Sequence, residues 1–86
     1  MTRSAPRPGG GAEANDRVTE AIDRYPNGNL RFRGFNLDGE MHGQWTFYRS
    51  DGSVMRTGAF DRGRQVGIWR TFIRDGTLAT EKDLGI

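Results

Sequence analysis

The sequence predicts a small all-β domain built from hairpins that recur every 24 residues, and three observations support this. The first is a period: Gly28, Gly34, Gly39, Gly43 and Trp45 are matched 24 residues later by Gly52, Gly58, Gly63, Gly67 and Trp69. Self-similarity at a fixed spacing is the mark of a repeat architecture. The second is turn chemistry: Asn27-Gly28, Asp51-Gly52 and Asp75-Gly76 each separate β-prone runs, and Asx-Gly is the strongest short-range hairpin signal. The third is composition. With 13 Gly, 34 % hydrophobic residues and a mean hydropathy of -0.77, the chain is poor in core but suited to a turn-rich sheet.

Taken in chain order, residues 1–16 hold Pro6, Pro8 and the Gly9-Gly10-Gly11 run without apolar periodicity, which predicts a disordered tail. Residues 17–24 carry Val18 and Ile22 and read as a leading strand or one helical turn. Pro26 ends any helix before Tyr25, and a strand is the favoured reading. Residues 25–82 form the repeat domain, with units at about 25–48 and 49–72 and a partial unit at 73–82; residues 83–86 read as a C-terminal tail. Within a unit, an aromatic strand (Trp45–Arg49 or Trp69–Ile73) leads into the Asx-Gly turn. A second strand follows it, Leu30–Phe35 or Val54–Phe60. The glycine-bearing links Asn36–Gln44 and Asp61–Ile68 are expected to make the return turn.

Glycine inside a strand weakens it unless something approaches the bare backbone closely. Gly34 and Gly58 therefore predict that a ring from a neighbouring strand lies across them, which makes Trp45 and Trp69 packing residues first. Tyr48 and Phe72 belong to the same repeated set.

Little in the chain points to chemistry. There is no Cys, so disulfides, thiol catalysis and thiolate metal sites are excluded. His42 is the one histidine and lacks the partners of a usual zinc site. Asp51 and Asp75 are explained by their turns, the serines have no recognisable triad around them, and Gly9-Gly10-Gly11 lacks the Lys-Ser/Thr of a phosphate loop. No cofactor, metal or small-molecule substrate is implied, and the chain reads as a non-enzyme. Neither a secretory apolar run nor a transmembrane-length one is present, and the expected compartment is the cytoplasm.

The units Gly39-x3-Gly43-x-Trp45-x2-Tyr48-x2-Asp51-Gly52 and Gly63-x3-Gly67-x-Trp69-x2-Phe72-x2-Asp75-Gly76 resemble MORN repeats. The likeness is to the bacterial variant with Trp two residues after the last Gly, and His42-Gly43-Gln44-Trp45 is typical of it. It covers about residues 22–82. The resemblance implies an elongated, single-layer antiparallel sheet of stacked hairpins that serves scaffolding or protein binding. Anionic-lipid contact is proposed for some members, and bacterial chains of this variant are often labelled antitoxin-like. The family has no catalytic residues to carry over. The chain departs from the pattern at Val66, which stands where the first unit has His42, and in having barely more than two units.

So short an array is marginal alone and its open edges invite pairing, which predicts self-association or a protein partner that completes the sheet. Charge offers the alternative. Residues 24–74 hold nine Arg (24, 31, 33, 49, 56, 62, 64, 70 and 74) against four acids (38, 40, 51 and 61), a net of +5 within a chain of net +2. A basic sheet with aromatics could hold single-stranded nucleic acid or an anionic membrane surface. A solvated face, or a GC-rich coding bias toward Arg, explains the same excess. Partner contacts are expected where the copies differ, at Phe32 against Arg56, His42 against Val66 and Arg33 against Thr57, with Arg31 and Arg70 alongside.

Overall fold

A computed structural model describes residues 17–85; the expected tail at 1–16 lies outside them. The described chain is all-β. Six strands form one open antiparallel sheet in sequence order: β1 (Val18–Arg24), β2 (Leu30–Leu37), β3 (Glu40–Tyr48), β4 (Val54–Asp61), β5 (Arg64–Phe72) and β6 (Leu78–Asp83). Each strand is joined to the next by a tight turn, so each unit contributes a pair of strands.

Two turn types alternate along the sheet. At the Asx-Gly turns, only the glycine takes a left-handed conformation, with φ of 93° at Gly28, Gly52 and Gly76. The Asx residue instead accepts a hydrogen bond from the backbone two residues on: Asn29 N–H to Asn27 Oδ1 at 2.9 Å, Ser53 N–H to Asp51 Oδ1 at 2.9 Å and Thr77 N–H to Asp75 Oδ1 at 2.8 Å. The backbone closes from Gly28 N–H to the Tyr25 carbonyl, with the same bond at Gly52–Arg49 and Gly76–Ile73. This is a three-residue loop with a glycine bulge. Here the side-chain acceptor selects Asn or Asp, and the bulge selects Gly.

The two-residue turns with both φ positive lie at the opposite end, at Asp38-Gly39 (51° and 83°) and Arg62-Gly63 (51° and 88°). The return turns expected within 36–44 and 61–68 are therefore two residues long, and the rest of each link is strand. Gly43 and Gly67, read there as turn glycines, sit inside β3 and β5 with φ of 76° and 72°. They form irregularities where the register slips between Arg33 and Phe35 and between Thr57 and Ala59. Three residues, Gly43 to Trp45 or Gly67 to Trp69, therefore oppose one glycine, Gly34 or Gly58.

The slip aims each indole sideways over the neighbouring strand. A Cβ built on Gly34 would fall inside the Trp45 ring, and one on Gly58 inside the Trp69 ring. The Trp45 indole N–H donates to the carbonyls of Phe35 (2.9 Å) and His42 (3.3 Å), and that of Trp69 to Val66 (3.1 Å). Each ring is thereby pinned at both its face and its polar edge. The C-terminal end also differs from the tail read at 83–86. β6 runs to Asp83, and the Gly67 bulge exchanges backbone hydrogen bonds with Leu84 and Gly85.

Candidate interaction surfaces

Strand alternation divides the sheet into two faces, and one carries the rings. Trp45, Phe60 and Trp69 are its buried hydrophobic residues, with Ala21, Phe32, Met41 and Phe47 packed against them. Phe60 meets both indoles edge-on, at 5.9 Å and 80° to Trp45 and 5.2 Å and 86° to Trp69. Phe47 stacks between the same two at 6.0 and 6.3 Å. Such pairs contribute ~0.5–1.5 kcal/mol each beyond area burial.

Large apolar side chains elsewhere stay open to solvent: Val18, Ile22, Phe35, Ile68, Ile73, Leu78 and Leu84 are 37–48 % exposed. By register, Val18, Ile22 and Phe35 share the face opposite the rings at the β1 end, since Val18 pairs with Leu37, Glu20 with Phe35 and Ile22 with Arg33.

The arginines singled out from the sequence are mostly engaged within the chain. Arg31 pairs with Asp23 at 2.8 Å, Arg33 with Glu20 at 3.5 Å and Arg70 with Glu81 at 2.7 Å. Arg56, which stands where the first unit has Phe32, lies on the ring face over Phe47 and Trp69, 5.2 and 5.3 Å from their centroids. Phe32 packs on Trp45 and Phe47 at 5.6 and 6.4 Å, so the cation takes the place of a ring. His42 Nδ1 accepts the Arg62 N–H at 3.1 Å, which fixes the two-residue turn. These residues do not converge on one site.

The units are stitched at their Asx-Gly ends. The Tyr25 hydroxyl donates to the Tyr48 carbonyl at 2.8 Å, and Asn27 and Asn29 donate to the Ser50 carbonyl at 2.8 and 2.9 Å. One unit on, the Arg49 guanidinium donates to the Phe72 carbonyl and Arg74 pairs with Asp51 at 3.1 Å. Hydrogen bonds from Ser53 hold the Asp51 carboxyl below its usual range, and those from Thr77 do the same for Asp75. Both carboxylates are thus committed to turn structure, and among the described residues no cluster of three or more His, Asp or Glu could hold a metal.

Concavities open on the sheet, and two of them are the larger of those described. One of about 440 Å³ lies between the second and third Asx-Gly turns, against Val54, Phe72 and Arg74. The other, about 540 Å³, lies on the ring face at the β1 end and is lined by Ala21, Phe32, Asn36, Met41, Trp45 and Phe47 among others. Ala21 and Asn36 were missed in the sequence because the period was traced only from Tyr25 onward and by its glycines and tryptophans. Carrying the 24-residue offset to every position sets Ala21 against Trp45 and Asn36 against Phe60.

Comparison with protein-family models, curated proteins and solved structures returns no match. The resemblance to MORN repeats rests on the quoted residues alone.

Proposed function

We propose that this chain is a non-catalytic, MORN-like hairpin-repeat module that binds another protein, with an antitoxin-like or scaffolding role and a cytoplasmic setting. The observation that carries this reading is the open sheet itself: among the described residues, one layer of six strands, with apolar side chains 37–48 % exposed and two free edge strands. Exposed apolar surface of this kind marks interaction sites, and free edges offer unpaired backbone groups to an incoming chain. No helix among the described residues is long and apolar enough to cross a membrane.

The polyanion alternative is weakened by the ion pairs. Arg31, Arg33 and Arg70 each face an acid, and Arg56 is spent on two rings, so the +5 of residues 24–74 does not present a bare phosphate-binding stripe. The test is affinity capture from the source cell with mass spectrometry, using the full chain and a variant with Arg31, Arg33, Arg56 and Arg70 changed to Gln. A specific protein retained by both, and through a rise from about 50 to 200 mM salt, supports the reading. Capture confined to nucleic acid or acidic lipid, lost over that range as counterion release requires and lost in the variant, contradicts it.

A further inference from the structure

On the ring face Trp45 and Phe60 are buried to 3 % and 9 % exposure. Twenty-four residues earlier, Ala21 of the leading strand and Asn36 of the first unit hold the matching positions, and the 540 Å³ concavity opens there, beside Trp45. Phe32, Met41, Trp45 and Phe47 give it apolar and aromatic walls, Glu20 and Asn36 add polar groups at its lining, and one side is β1, the edge strand of the sheet. We propose that this cleft is a binding slot for a large aromatic side chain, delivered by an extended, uncharged segment of a partner protein that adds as a strand to the edge of β1, which no strand among the described residues pairs.

Three features select this occupant. Main-chain pairing along an edge, with a pocket for alternate side chains, is how sheets recognise extended peptides, and a buried aromatic anchor is the typical hot spot of such contacts. The acids of β1 already hold arginines of the neighbouring strand, Glu20 with Arg33 and Asp23 with Arg31, and Arg24 donates to the Gly28 carbonyl at the turn end, so the strand has its charges engaged within the sheet and suits an uncharged partner strand. A second copy of the chain fits poorly. Its edge strands, Val18–Arg24 and Leu78–Asp83, contain no aromatic residue, and its 45 % exposed Phe35 lies mid-sheet on β2. β6 is the less suitable edge, since it lies at the far end of the sheet from the slot. Ile73 also replaces the donor side chains that Tyr25 and Arg49 supply to the neighbouring unit.

This inference rests on the protein-binding reading, and its test separates the two. The probe is an acetylated, amidated heptapeptide of alternating Thr and Val around a central Trp, titrated into the full chain and followed by NMR. One tryptophan buries ~150–250 Å², so the contact falls well below a standard interface and saturates at high micromolar peptide. The expected result is a set of shifts confined to the amides of Val18–Arg24 and the Met41 methyl. Affinity should fall at least tenfold when the probe's Trp is Ala, when alternate probe amides are N-methylated, or when Asn36→Phe fills the slot. Should Asn36→Phe fail to show the wild-type melt, Ala21→Leu reads the same quantity. Equal affinity for the Trp and Ala probes, shifts centred on β6, or no shift at millimolar probe overturns the slot. Native-partner capture undiminished by Asn36→Phe overturns the slot while the module reading stands. Self-association abolished by Asn36→Phe overturns the choice of occupant.

Discussion

Two glycines carry the packing of this sheet. Gly34 and Gly58 have no freedom to be anything larger, because the indoles of Trp45 and Trp69 occupy the space a Cβ would take. Gly58→Ala should therefore lower unfolding free energy by about 2–3 kcal/mol through overpacking, measured by urea titration. Trp69→Ala should cost about 3–5 kcal/mol. In the double variant the alanine at 58 should add almost nothing to the loss at 69. Full additivity would show that the ring does not lie on the glycine. Arg56 belongs to this scale too, since its guanidinium sits on the rings of Phe47 and Trp69 and Arg56→Gln removes a structural contact of about 0.5–1 kcal/mol.

At the scale of the turn and the strand pair, side-chain acceptors and left-handed backbone divide the work. Arg62 sits at φ 51° in a turn whose counterpart uses Asp38, and a long side chain there lacks the local hydrogen bond that lets Asn or Asp tolerate the conformation. Arg62→Asn should stabilise the chain by up to about 1 kcal/mol in the same urea assay, with the His42 bond retained because it uses the backbone N–H of residue 62. The Asx-Gly turns give the fold an acid limit. Asp51 and Asp75 have folded pKa values depressed below 3.8 by bonds from Ser53 and Thr77. Their contribution is therefore complete above the unfolded value near pH 4 and is lost as pH falls through the folded values. The melting temperature should drop below about pH 4, and the drop should shrink in Asp51→Asn, which keeps the acceptor and removes the titration. The hairpins and their 24-residue period were legible in the sequence because Gly and Asx-Gly are required by backbone geometry at fixed places. The strand ends were not. Gly43 and Gly67 look like turn residues by type, and only pairing against Gly34 and Gly58 shows that they bulge a continuous strand. The slot at Ala21 and Asn36 was equally hidden, since small and polar residues give no positive signal until set against Trp45 and Phe60.

The described residues, 17–85, form a one-layer sheet with just three buried hydrophobic side chains, so its stability depends on every neighbouring strand being present. Every residue of β6 is exposed, yet the strand pairs with Trp69 through Lys82, and the segment after it satisfies the Gly67 bulge. Truncation after Thr77 should abolish the cooperative thermal transition, whereas a melt unchanged by truncation would show that β6 is dispensable. Among the described residues the same thinness leaves the ring-face cleft beside β1 uncovered. Both depend on the two indoles lying flat across bare strand glycines and holding the sheet without a second layer. The most direct test is the proton NMR spectrum of the full chain at low concentration. Ring currents should move the Gly34 and Gly58 Hα resonances strongly upfield, with cross-relaxation from Gly34 to Trp45 and from Gly58 to Trp69. Glycine resonances at random-coil positions, without those cross-peaks, would contradict the account.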